Sequence, residues 1–274
     1  MAKRILKVLT PKIFEALSKL NDFQKEDLLL RFSKRFANKD AMVYFKDPVI
    51  EKYLKDLGAA GEVMELPENF SGDYLAVANA NVAGGKSDAF VEQSIRLISK
   101  FQPDGRVKNQ LTIRREHNGE DEKDWWYRST NRSYIQVFTP PGSKLIKTTG
   151  ATAKIIKPLV NYATGNFSVD EDLALLEAAG TEVFGKTMFA RWLEVKAGAV
   201  KELQMNYFTP HRFIGEASPY QFIFEKQSGV GGSLEISLEA PAGFKWRESE
   251  SEIFNYASQD LPARIVLDLN LIPR

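Results

Sequence analysis

Two hydrophobic periods divide this chain. Over residues 1–60 apolar side chains recur every three to four positions, the spacing of amphipathic helices. Thr10 and Pro11 suit a helix start, because proline at the first helical position lacks only an N–H that would have no partner there. Ile13, Phe14, Leu17 and Leu20 then share one face. Asn21 or Asp22 caps a second helix with the apolar stripe Phe23, Leu28, Leu29, Phe32 and Phe36. Residues 41–45 read as a short strand. Asp47-Pro48 opens a third helix that turns Val49, Ile50, Tyr53, Leu54 and Leu57 inward and stops at Gly58.

From residue 73 the period changes to two. Strands are expected over 73–82, 133–139, 144–148, 187–195, 200–208, 221–226, 233–239 and 265–271. Turns rich in Gly and Pro separate them, among them Pro140-Pro141-Gly142 and Gly229 to Gly232. Residues 91–113 alternate imperfectly around the turn signal Pro103-Asp104-Gly105 and read as a β-hairpin, although Phe90, Ser94, Ile95 and Ile98 would also suit a helix. Residues 170–179 look like a helical insertion. The fold class expected is α+β, mainly β: an N-terminal helical segment packed on an immunoglobulin-like antiparallel β-sandwich.

Composition removes several functions. With no Cys there is no disulfide framework, thiolate metal site or cysteine nucleophile. Only two histidines, His117 and His211, argue against a multi-histidine centre. The 37 basic and 36 acidic residues leave a net charge of +1, which argues against nucleic acid as a partner. The basic excess of residues 1–40 reads as a solvated outer face rather than a lipid- or polymer-facing patch. The start Met1 to Pro11 is basic, but Lys7 interrupts its apolar stretch, so it is not an export signal. No window approaches the roughly 18 apolar residues of a membrane span, and the chain is expected to be soluble as it stands.

Three segments invite chemistry. Ala80 to Ser87, with Gly84-Gly85-Lys86-Ser87, nearly spells a phosphate-binding loop. Its first glycine is replaced by Ala80, however, and the segment that follows reads better as a strand than as the helix such a loop needs. It is therefore read as a surface loop. The acidic loop Gly119 to Asp124 lacks the ordered alternation of a calcium loop. It precedes Trp125, Trp126 and Tyr127, the candidate binding residues. These rings suit either a hairpin flank packing on the sandwich or a platform for sugar or a protein partner. Asp170-Glu171-Asp172 is a helix N-terminus complementing the dipole. Trp192 and Trp246 are expected core aromatics. No catalytic residue, metal ligand or cofactor is assigned.

Four motifs in order add a resemblance. They are Ala41-Met-Val-Tyr-Phe-Lys-Asp-Pro48, Asp73-Tyr-Leu-Ala-Val-Ala-Asn-Ala-Asn-Val-Ala-Gly-Gly-Lys-Ser-Asp88, Arg132-Ser-Tyr-Ile-Gln-Val-Phe-Thr-Pro-Pro-Gly-Ser143 and Phe184-Gly-Lys-Thr-Met-Phe-Ala-Arg-Trp-Leu-Glu-Val195. Over residues 38–241 the chain resembles the C-terminal half of the bacterial family called domain of unknown function 4012. The resemblance implies an extracytoplasmic, cell-surface body tethered by an upstream membrane anchor. It makes this chain the C-terminal portion of a longer protein. The expected domains are then a helical region over 1–72, a β-sandwich over 73–241 and an extension with a final strand over 242–274. The expected role is a non-catalytic envelope module that is structural or binds envelope glycan or another surface protein. The alternative is part of an enzyme acting on envelope polysaccharide, its active site largely upstream.

Overall fold

The computed structural model describes residues 2–56, 59–153, 164 and 179–274. The helix expected over 170–179 lies outside them apart from Ala179, as does the helix stop expected at Gly58. The chain divides into two compact units, Met1–Glu62 and Val63–Arg274.

The first unit carries three helices, α1 (Ala2–Ser18), α2 (Asp22–Ala37) and α3 (Pro48–Asp56). α1 starts eight residues before the expected cap and runs through Pro11, which removes one backbone donor from its interior. The Thr10 hydroxyl does not cap; it donates to the Leu6 carbonyl at 2.8 Å, one turn back. α2 begins at a full capping box: Gln24 N–H donates to Asn21 Oδ1 at 2.9 Å, and Asn21 N–H to Gln24 Oε1 at 3.1 Å. Asp47 accepts from the N–H groups of Val49 and Ile50 ahead of α3. The strand expected over 41–45 reduces to a single bridge between Val43 and Ala60. No helix among the described residues is long and apolar enough to cross a membrane.

The second unit is mainly β. Its strands are β1 (Gly72–Asn81), β2 (Val91–Phe101), β3 (Arg106–His117), β4 (Asn131–Thr139), β5 (Lys144–Thr149), β6 (Ala179–Val183), β7 (Lys186–Val195), β8 (Val200–Arg212), β9 (Ser218–Lys226), β10 (Ser233–Glu239), β11 (Phe244–Trp246), β12 (Ile253–Ser258) and β13 (Arg264–Pro273). A one-turn helix, α4 (Trp125–Arg128), precedes β4. A seven-stranded sheet has the order β11-β13-β9-β1-β4-β7-β6, and a six-stranded sheet the order β12-β10-β2-β3-β8-β5.

Both sheets are mixed, which corrects the expectation of purely antiparallel layers. β1 pairs with β9 in parallel, as β2 does with β10; the other neighbours are antiparallel. Within the first sheet β4 is antiparallel to β1 and β7 to β4, so β7 and β9 both run with β1; within the second β3 is antiparallel to β2 and β8 to β3, so β8 and β10 both run with β2. Such strands pair in parallel when the sheets bring them side by side. The β2–β3 hairpin forms with Val91 opposite His117 and Phe101 opposite Val107, and not as a helix.

Both sheets feed one core. Leu75, Ile135, Phe189 and Phe224 from the seven-stranded sheet join Leu97, Leu111, Met205 and Ile236 from the six-stranded one, all at most 2% exposed. Trp246 is fully buried there, and its Nε1 donates to the Leu238 carbonyl at 2.8 Å. Trp192 packs instead with Tyr134, Met188 and Ala190, the alternate positions of β4 and β7. Residues 242–274, expected as an extension, supply β12 to one sheet and β11 and β13 to the other.

Candidate functional site

The period of two decides which polar groups enter the interior. β3 turns Val107, Asn109, Leu111, Ile113, Arg115 and His117 to one face, and all are buried. Leu111 and Ile113 in the middle of this row are apolar, with Asn109 on one side of them and Arg115 and His117 on the other. β1 repeats the arrangement, with Asp73 before Leu75 and Val77, and Asn79 and Asn81 after them. The interior therefore carries a polar cluster at each end.

At the end where β3 finishes, Arg115 is 4% exposed. Its guanidinium donates to Gln93 Oε1 at 2.9 Å, Asp88 Oδ1 at 3.2 Å and Asn131 Oδ1 at 3.3 Å. Burial lowers the Arg115 pKa and the Asp88 carboxylate opposes that shift. Asn131 donates to Asp88 and to the Ser87 hydroxyl, and Ser87 donates to the Gly84 carbonyl at 2.7 Å. The loop that nearly spells a phosphate-binding motif lies at the surface, as expected, with Val82, Ala83, Gly85 and Lys86 exposed, and turns Gly84 and Ser87 inward. Ser87 is fully buried in this network, while Lys86 is exposed. A Cβ on Gly84 would stand 1.9 Å from Asn81 Oδ1, so a close side-chain approach, not a phosphate, requires glycine here.

The same network anchors the aromatic loop. Lys86 N–H donates to the Trp126 carbonyl at 2.8 Å. Gly119 N–H donates to His117 Nδ1 at 3.2 Å, and His117 Nε2 lies 3.0 Å from the Ser129 carbonyl. These two contacts together place the ring proton on Nε2. Ser129 Oγ closes the turn by donating to the Trp125 carbonyl at 3.0 Å.

Trp125, Trp126 and Tyr127 occupy α4, not a hairpin flank, so their rings fan around a helical turn instead of alternating. Tyr127 is half-buried and meets Phe90 edge-on at 5.0 Å. Trp126 is half-buried, with Trp125 at 5.9 Å and 75°. Trp125 is 68% exposed. The structure therefore brings the three together but presents one indole, with a second set across it as a corner.

The opposite end holds Asp73, fully buried. Tyr74 N–H donates to its Oδ1 at 2.7 Å and Asn109 Nδ2 to its Oδ2 at 2.5 Å. Burial raises its pKa to about 7 despite these two hydrogen bonds. Burial, with Asp73 nearby, also pushes the Tyr207 and Tyr220 hydroxyls well above their ordinary value. His211 is held by Ser71 Oγ at 3.3 Å and edge-on to Tyr220 at 5.1 Å; burial lowers its pKa.

Beside this end a cavity of about 570 Å³ is lined by Glu65, Glu68, Lys186 and His211 among apolar rings. Lys186 Nζ is engaged: it donates to the Met64 carbonyl at 2.8 Å and lies 4.8 Å from the Tyr74 ring centre. Glu225, beside it, accepts from the Tyr74 hydroxyl, Met64 N–H and Arg264. Among the described residues, no Arg lines the cavity. Among the described residues, no group of three or more His, Asp or Glu converges as metal ligands would.

The sequence pattern by itself does not mark Arg115 or Asp73. Their signal was present, a charged residue at an inward position of a period-two row, but it was readable only once the inward register was known.

No protein-family model matches the chain, and no curated protein does. Among solved structures it is similar to a crystal structure of a candidate nutrient binding protein from Legionella pneumophila subsp. pneumophila str. Philadelphia 1, with 9% identity and a TM-score of 0.38. That match covers 74% of this chain and 71% of the other.

Proposed function

We propose that this chain is a non-catalytic binding module of the bacterial cell envelope, working outside the cytoplasm, and that it contacts envelope glycan through Trp125. The observation that carries the reading is an indole 68% exposed on a loop whose backbone is pinned at Trp125, Trp126 and Ser129. A large ring held in place before contact loses little freedom on binding. Its flat apolar face suits the C–H face of a sugar, and the Trp126 ring at 75° gives the ligand a side wall. The envelope setting follows from the resemblance to the domain of unknown function 4012 family. The immunoglobulin-like layering belongs to the same proposal and is supported by the core that the two sheets share.

The test is a glycan array and a peptidoglycan pull-down with the wild type and Trp125→Ala. Wild-type binding is expected, and the variant should lose roughly tenfold or more in affinity. Its stability should stay within about 0.5 kcal/mol, because the removed ring is mostly in solvent. Absence of wild-type binding to either target, or unchanged binding by the variant, sinks the glycan reading.

A further inference from the structure

The cavity of about 570 Å³ at the Asp73 end has the size of a small-ligand site. Its rim carries a residue that neither backbone preference nor burial explains. β6 and β7 are joined by a two-residue turn, with Val183 opposite Lys186. Both turn residues are left-handed, Phe184 at φ 53° and Gly185 at φ 65°. Such a turn favours Asn, Asp or Gly at its first central position, and a bulky side chain is strained there. Phe184 nonetheless occupies it and leaves its ring 71% exposed. Local strain of this kind gathers at ligand sites.

The charges around the cavity are uneven. Lys186 interacts with Glu225 and Glu65, and Glu225 in turn accepts from Arg264, so those four charges offset one another. His211 is biased towards its neutral form by burial. Glu68 lines the cavity, exposed and with no partner among the described residues. Phe70 and the proline rings of Pro67, Pro140 and Pro210 complete an apolar wall.

We propose that this cavity binds an organic cation carried on an apolar body, with the cation beside Glu68 and the Phe184 ring. A carboxylate supplies charge and an aromatic face supplies quadrupole attraction to the same group. The cation is either a free small molecule or a Lys side chain in a proline-containing peptide; the chemistry recognised is the same. The site is remote in the chain from Trp125 and goes beyond the glycan reading.

Calorimetric titration of the full chain with two probes tests this. One probe is benzyltrimethylammonium; the other is a capped peptide of Pro, Lys and Leu. At least one should bind at or below millimolar concentration, and the tighter of the two identifies the source. Glu68→Gln should weaken binding about two- to fivefold and reduce its salt dependence. Phe184→Asn should weaken it by about the same factor or more while raising Tm by about 2–4 °C, since Asn accepts the left-handed turn. That rise separates lost binding from lost folding. Trp125→Ala should leave both probes unaffected. Failure of both probes to bind at millimolar concentration, or wild-type affinity in Phe184→Asn and Glu68→Gln, overturns the proposal.

Discussion

Asp73 is a carboxyl that the fold holds at a cost. In the unfolded chain it gives up its proton near the ordinary value of 3.8; in the fold it keeps the proton to about pH 7, because burial outweighs the hydrogen bonds from Asn109 and Tyr74. Between these values the folded state binds more protons than the unfolded one. The contribution of Asp73 to stability therefore falls as pH rises from about 4 to about 7, and stays low above that. His211 acts in the opposite direction. Its folded pKa lies below the ordinary 6.5, so stability is lost as pH falls below that value. Asp73→Asn isolates the first effect. The unpartnered Oδ1 of Asn109 can receive the new amide if the Asn109 side chain turns over. The variant should be more stable than wild type by roughly 1–3 kcal/mol at a pH about one unit above the Asp73 value, and the difference should close towards pH 4. Urea denaturation across that range measures it; a constant difference at all pH values contradicts the assignment.

At the scale of elements, turns and pairing decide where local patterns lead. The Gly84-Gly85-Lys86-Ser87 loop is a case of a motif resembling one chemistry while the fold uses it for another. Gly84 is packed against Asn81 Oδ1, which accepts from Arg132 N–H at 3.1 Å, and Gly85 is left-handed beside the Trp126 carbonyl. Gly84→Ala should push Asn81 aside and cost roughly 1–3 kcal/mol, the range for breaking a buried polar contact. Because the same network carries α4, the substitution should also shift the tryptophan emission; a stable variant with unchanged emission would detach this loop from the aromatic turn. The strands that a period of two marked clearly, such as β4, β7 and β10, lie close to where the pattern puts them. The period of two does not mark β6, β11 or β12. β11 is three residues long, and β6, β11 and β12 all lie at sheet edges, where a strand needs less apolar alternation. α1 escaped its expected start because Pro11 costs one hydrogen bond without ending the helix.

At the scale of the molecule, the shared core lies wholly in Val63–Arg274, and the C-terminal strands are part of it. That unit closes its own apolar interior, with a polar cluster at either end. Residues 63–274 produced alone should therefore unfold in one cooperative transition, with Tm within about 5 °C of the corresponding transition in the full chain. Differential scanning calorimetry on both checks it; a fragment without a cooperative transition would show that Met1–Glu62 is needed to complete the fold.

The sequence by itself determined the local choices. The alternation of faces along a strand, the turn sites and the capping box at Asn21 depend on neighbours a few residues away, through sterics and solvation. Its exposed aromatic loop was legible too, although not the helical turn that leaves only Trp125 in the open. Tertiary structure alone decided which strands became neighbours, and so the parallel β1–β9 and β2–β10 pairs. It decided that Asp73 meets Asn109, that Arg115 meets Asp88 and Asn131, and that Glu68 and Phe184 border one cavity. Those partners are set by register across strands far apart in the chain, and no local window of the sequence contains both sides of such a pair.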